Sequence, residues 1–261
     1  MKKPSRWPSL TTPSLARTFI KEKLPDCRLG NLAKQGRFRY ASCVEEASFF
    51  LNPLINIEGV CADFVERVSG VPTSTNKEET LSKLLPHHTL AALKLGYTST
   101  HLAEQVHGPK IITVTPDTPL ISNGADGLIS NSPGTLLGIH VADCGAVYLV
   151  DQRSKAIALL HSGKKGTEAN ITGQAIERMT QEFDSNPADL IAILAPCIRP
   201  PHYEIDFAST IREQALAAGI STDSYYDKNL CTASNLERYY SYRIEKGNTG
   251  RMLALLGILP S

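Results

Sequence analysis

The chain has almost no net charge: 27 Lys and Arg stand against 26 Asp and Glu, giving +1 over 261 residues. That balance leaves no basic footprint for nucleic acid and no cationic face for a membrane surface. Long apolar runs are missing too. Nothing approaches the roughly 18 uninterrupted apolar residues of a membrane span, and the basic N-terminus lacks the apolar core of a secretory signal. The six cysteines show no tight framework spacing, so they read as reduced thiols rather than as a disulfide scaffold. A cytoplasmic protein is expected.

What is present is an ordinary globular composition, 42% hydrophobic and 20% charged, enough to bury a sizeable core in one large domain. Lys and Arg are dense ahead of Phe38, interleaved with Pro4, Pro8, Pro13 and Pro25. Residues 1–35 therefore read as a loosely ordered basic arm before a single domain, 36–261. Strand-like runs are expected at 36–42 and 48–57, and helices at 61–69 and 77–85, where acidic residues precede Leu or Val at helical spacing. From 110 onward the signal sharpens. A β-branched run at 110–115 and apolar runs at 127–130, 136–141, 146–150, 156–160 and 190–194 read as short strands covered on both faces. The intervening Asp-Gln-Arg-Ser-Lys at 151–155 suits a hairpin loop. Helices are expected at 167–182, with Ile171, Ala175, Ile176 and Met179 on one stripe, and at 208–218, stopped by Gly219. The mixture predicts a layered α/β or α+β domain.

Three short motifs carry chemistry: Gln-Val-His-Gly at 105–108, Ala-Asp-Cys at 142–144 and His-Ser-Gly-Lys-Lys-Gly-Thr at 161–167. Imidazole and thiolate are donors that zinc prefers, and three protein ligands leave a coordination position for water or substrate. His107, Cys144 and His161 each fall where a strand gives way to a loop, the usual place for functional side chains. Their spacing alone does not specify a site, since a buried thiol and two hydrogen-bonded histidines would read the same way. After His161, a strand runs into Gly163-Lys164-Lys165-Gly166 and Thr167 opens a helix. Backbone N–H groups and two lysines there suit a phosphate or carboxylate, and equally a solvated turn. The loop does not match the nucleotide-binding P-loop pattern.

Together these motifs resemble the YfiH or laccase-domain family, whose members also carry polyphenol oxidase, purine nucleoside phosphorylase and peptidoglycan editing factor labels. The resemblance runs in order through 105–108, 125–130, 142–144, 161–167, 195–198 with 203–205, and 240–243 with 249–251. It implies a single-domain layered α/β/β/α sandwich with mixed sheets and one zinc ion held by His107, Cys144 and His161. It also implies a small-molecule nucleoside and phosphate as partners, in phosphorolysis of adenosine, inosine or methylthioadenosine and in deamination of adenosine. Departures are specific. The family's Trp and Arg after the third ligand are Lys164 and Lys165 here; Lys offers neither the stacking face of an indole nor the bidentate phosphate clamp of a guanidinium. Gly145, Ala195 and Ile244 also depart from the pattern, and the family's N-terminal S-T-R-x-G-G segment is not recognisable in 36–60.

The favoured reading is a zinc-dependent purine nucleoside enzyme with His107, Cys144 and His161 as ligands and catalytic centre. Lys165 is the expected phosphate contact, with Lys164, Arg243 and Arg251 as further candidates. Gln105 and Asp143 adjoin ligands and are expected to orient them. A multicopper oxidase is set aside because its chemistry needs several additional histidines, typically paired as H-x-H; the chain has seven and no such pair. Copper is disfavoured with it. Two other readings use the same residues: a thiol hydrolase acting on cell-wall precursors with Cys144 as nucleophile, and a non-catalytic metal-binding scaffold, which the loss of Trp and Arg beside His161 favours. Cys197 and Cys231 are expected to be packed thiols.

Overall fold

A computed structural model describes residues 49–260. The basic arm expected at 1–35 and the strand expected at 36–42 lie outside the described residues. Among the described residues, eleven strands form two mixed sheets. The first sheet has the order β1 (Val60–Val65), β11 (Met252–Ile258), β6 (Leu136–Val141), β2 (His101–Ala103) and β4 (Ile121–Ser122). The second runs β10 (Tyr225–Asp227), β9 (Leu190–Leu194), β7 (Gly145–Asp151), β8 (Ile157–Ser162), β5 (Gly127–Ser130) and β3 (Ile111–Thr113).

Strand alternation explains how the sheets stack. Leu137, Ile139 and Val141 of β6, Ala254 and Leu256 of β11, Tyr148 and Val150 of β7, and Ile157 and Leu159 of β8 share one core between the two sheets. The alternate residues point outward. Leu136, Leu253 and Leu255 pack with Ala91 and Ala92 of α1 (Lys77–Lys94) and with Leu95, which caps it. Val147, Leu149, Ala158 and Leu160 meet Ile171, Ala175, Ile176 and Met179 of α3 (Ile171–Phe183) and Ile211 and Ala215 of α4 (Phe207–Ala217). Helix, sheet, sheet, helix is the layering that the family resemblance implies, and β6 to β9 are buried along their whole length. Among the described residues no helix is long and apolar enough to cross a membrane.

Four local expectations change. Residues Phe49–Leu54 form a 3-10 helix rather than the strand expected over 48–57. The helix expected at 61–69 is instead β1, whose Val-Cys-Ala-Asp-Phe-Val run pairs antiparallel with β11 over its full length; cross-strand packing overrides a weak local preference. The helix expected at 77–85 continues to Lys94 through Pro86. The single helix expected at 167–182 is two: α2 (Lys164–Glu168) and α3, parted by Asn170 in a left-handed conformation (φ 57). Gly219 follows α4 at φ +101, as a helix-stopping glycine should.

Candidate metal centre

Two crossovers between the sheets build the site. After β2, in the first sheet, the chain passes through Gln105–Gly108 to β3 in the second; after β6, in the first sheet, it passes through Ala142–Cys144 to β7 in the second. His107 and Cys144 thus arrive from separate crossovers where the sheets meet. His161 comes from β8, opposite Ala146 of β7 in the antiparallel register. The two histidine Nδ1 or Nε2 donors and the Cys144 sulfur all lie within 4.8 Å of one another. The rings of His107 and His161 meet edge to face at 4.8 Å between centroids. His107 is exposed, Cys144 half-buried and His161 3% exposed, so the group opens to solvent on one side.

Backbone geometry around these donors is unusual and is held from one point. Gln105 (φ 65), His107 (φ 64) and Asp143 (φ 82) all occupy the left-handed region, which costs roughly 1–3 kcal/mol for a non-glycine residue and persists only where neighbours fix it. Asp126 does much of the fixing. Fully buried, its carboxylate accepts the backbone N–H groups of Val106 (3.1 Å), His107 (2.9 Å) and Gly108 (2.8 Å) and lies 2.8 Å from Nδ1 of His161. With Nδ1–H donated to that carboxylate, Nε2 is the ring nitrogen that His161 keeps for Cys144 or an ion. Asp126 belongs to the 125–130 stretch, yet nothing in the sequence marks it as more than the residue before a strand.

Gln105 and Asp143 serve as braces. The Gln105 amide receives the His140 N–H at 2.9 Å and donates to the His140 carbonyl at 2.5 Å, tying the first crossover to β6. Asp143 accepts from the Thr232 hydroxyl at 2.7 Å and from the Arg243 N–H at 2.7 Å, tying the second crossover to the 239–247 segment. Gly163 faces the donors: a Cβ there would sit 2.5 Å from the Cys144 sulfur. Its φ of −92 suits any residue, so glycine is required for space.

Electrostatics follow from this packing. Burial works to raise the Cys144 thiol, but the charge of His161 and the hydrogen bonds from His107 and His161 outweigh it, bringing the thiol down to about 6. Burial likewise opposes a charge on His161, yet the Cys144 sulfur and the Asp126 carboxylate hold it up at about 9. Asp126 stays ionised below its ordinary range: burial opposes its charge, while His161 and the backbone donors prevail.

Of the other residues singled out in the sequence, Lys164 and Lys165 lie exposed at the start of α2. Arg243 pairs with Glu204 at 2.8 Å and stacks over Tyr203 at 5.2 Å. Arg251 is half-buried just ahead of β11, within electrostatic reach of Cys144 and Asp143. Cys144, Cys197 and Cys231 are free thiols.

Known proteins share both sequence and fold. The Geobacillus stearothermophilus protein named purine nucleoside phosphorylase YlmD is 29% identical over 192 residues, covering 59% of this chain and 70% of its own. A Staphylococcus saprophyticus protein named purine nucleoside phosphorylase is 30% identical over 190 residues, covering 59% and 71%. YfiH of Escherichia coli, also named a purine nucleoside phosphorylase, is 27% identical over 184 residues, covering 60% and 72%. The crystal structure of Geobacillus YlmD superposes with a TM-score of 0.68 at 24% identity over 78% of this chain and 93% of that one. That of a Bacillus licheniformis hypothetical protein YfiH gives 0.70 at 21% identity over 78% and 94%. Residues 74–208 and 201–259 match the model of the family described as multi-copper polyphenol oxidoreductase laccase, and the chain belongs to that family.

Proposed function

We propose that this protein is a zinc-dependent enzyme of purine nucleosides, cleaving adenosine, inosine or methylthioadenosine with phosphate, deaminating adenosine, or both. The carrying observation is the convergence of His107, Cys144 and His161, with donors within 4.8 Å of one another. The donor set suits zinc: a sulfur already drawn towards thiolate, an imidazole whose far nitrogen is fixed by a carboxylate, and an open side. The space that Gly163 leaves beside the sulfur fits an ion there. The names carried by its relatives point to the substrate class. A bound zinc would supply a Lewis-acid face and an acidified water.

The chain's own groups divide the remaining work. Asp126 holds His161 in one tautomer and pins the backbone of the His107 loop. Tyr242, 55% exposed and beneath the Arg251 guanidinium at 5.7 Å, offers the flat apolar face that Lys164 cannot give a purine. Arg251 supplies positive charge beside Cys144. In phosphorolysis a phosphate oxygen bonds to C1′ of the ribose as the C1′–N9 bond breaks, and the electron pair leaves on the base, which takes up a proton.

The test is metal content together with turnover. Protein purified without chelator is expected to hold close to one zinc per chain. Incubated with adenosine, inosine and methylthioadenosine, each with and without phosphate, it should release free base or inosine above a Cys144→Ala control. A second reading draws on the Cys144 and His161 pair, whose opposite shifts resemble a thiolate beside an imidazolium. Metal-free protein whose thiol reacts rapidly with iodoacetamide, with no nucleoside turnover, would favour that thiol hydrolase.

A further inference from the structure

Six arginines of the described chain close an ion pair with a carboxylate: Arg67, Arg153, Arg178, Arg199, Arg238 and Arg243. Arg251 does not. It is half-buried, and its hydrogen bonds go from Nη1 alone to the carbonyls of Gly250 (2.8 Å) and Thr249 (3.5 Å). Lys77, in the first turn of α1, is half-buried as well and has no hydrogen bond or ion pair among the described residues. Thr73 Oγ1 donates to the Asn248 carbonyl and side-chain oxygens at 3.3 Å, which ties the approach to α1 to the approach to β11 and brings the two cations within electrostatic reach of each other. Burial lowers the Lys77 ammonium and the charge of Arg251 lowers it further; both press on the buried imidazole of His140. Glu104 and Asp126 lie within electrostatic reach of Lys77, but both are engaged elsewhere. Glu104 accepts the Gly124 N–H at 2.6 Å, and Asp126 is saturated by four donors. Beside this pair, His88 is 5% exposed and its Nε2 has no partner.

Cys144 and Asp143 act on Arg251 from a distance, but neither cation closes an ion pair, and two half-buried like charges left so destabilise a fold unless something anionic joins them. We propose that Lys77 and Arg251 together bind the inorganic phosphate of the reaction, on the first-sheet side of the His107, Cys144 and His161 cluster. The identity of the anion rests on the phosphorolysis reading; the binding of an oxyanion rests on the two unpaired cations. Arg251 provides a planar fork for two phosphate oxygens and Lys77 a point charge for a third. Sequence inspection misses Lys77 because its position, far ahead of the ligand motifs, carries no motif of its own. Its placement follows from α1 packing on the outer face of the first sheet, with the segment ahead of it bonded to Asn248 near Arg251.

The experiment uses the full-length, metal-loaded protein and inorganic phosphate as probe, followed by thermal shift and titration calorimetry, then by steady-state kinetics. The variants are K77Q, R251Q, K165Q, the charge-retaining K77R, and K94Q at the far end of the same helix. Phosphate should stabilise wild type and K94Q, bind at least tenfold more weakly to K77Q and R251Q, and regain affinity in K77R. In kinetics, K77Q should raise the KM for phosphate at least tenfold with the KM for nucleoside unchanged. Ribose 1-phosphate titrated in parallel separates free phosphate from a sugar phosphate as the bound species. Phosphate affinity unchanged in K77Q, or lost in K165Q alone, would overturn the inference even if nucleosides are turned over. Phosphate binding that depends on Lys77 without any nucleoside turnover would uphold the anion site and count against phosphorolysis instead.

Discussion

At the scale of single residues the site depends on one carboxylate and one missing side chain. Asp126 bonds His161 and three backbone N–H groups of the His107 loop. Asp126→Asn keeps the shape but removes the charge and turns one acceptor into a donor, so it must lose a bond to His161 or to the loop. Metal affinity is expected to fall about 10–100-fold, the usual effect of removing a partner behind a ligand, as read by competition with a chromophoric chelator. Unchanged affinity would show that Asp126 is a structural brace only. Gly163→Ala tests the space. The backbone tolerates alanine, yet its Cβ would lie 2.5 Å from the Cys144 sulfur. Folded protein with sharply reduced metal stoichiometry is expected, and normal zinc content in that variant would refute the cradle. The three donors were legible in the sequence because each sits in a motif. Asp126 and Lys77 were not, because what matters about them is which distant groups they face.

At the scale of elements, legibility followed burial. The strands at 127–130, 136–141 and 190–194 were readable since both faces are covered and the apolar runs are nearly continuous. β1 was misread as helix because its partner β11 lies almost 200 positions away, beyond any local pattern. The break between α2 and α3 was missed because one residue decides it. Asn170 takes φ 57, and its side chain accepts the Gly173 N–H at 3.2 Å, starting α3 afresh. Asn is among the few residues that enter this conformation readily and also cap a helix. Asn170→Ala loses the cap and adds left-handed strain, for an expected loss of about 1–3 kcal/mol. Asn170→Gly loses the cap but relieves the strain and should lie within a few tenths of a kcal/mol of wild type. Urea denaturation of both variants checks the ordering; equal stabilities would mean that the loop, not Asn170, sets the break.

At the scale of the whole molecule, the cover that α1 gives to the first sheet predicts how the fold responds to acid. His88 on α1 and His140 on β6 are 5% and 9% exposed, with ring centroids 5.2 Å apart. Burial brings His88 down to about 4, against a hydrogen bond to the Arg251 backbone and with His87 nearby. Burial, then His88, Lys77 and Arg251, keep His140 well below its ordinary value. Both imidazoles are therefore neutral in the native state. In the unfolded chain they titrate near 6.5, so below that pH the unfolded state binds protons that the native state does not, and stability falls with pH. Their contribution is intact above about 6.5 and is lost progressively down to the native values. For His88 alone the span from about 6.5 to about 4 amounts to on the order of 3 kcal/mol. His101, also depressed by burial, adds to the same slope. Urea unfolding at pH 7, 6, 5 and 4.5 should show stability dropping steadily across this window. His88→Gln, which cannot take up the proton, should flatten the slope by close to one proton while leaving the other histidines to titrate. A variant slope identical to wild type would mean that His88 is protonated within the fold, and that α1 does not seal the outer face of the first sheet.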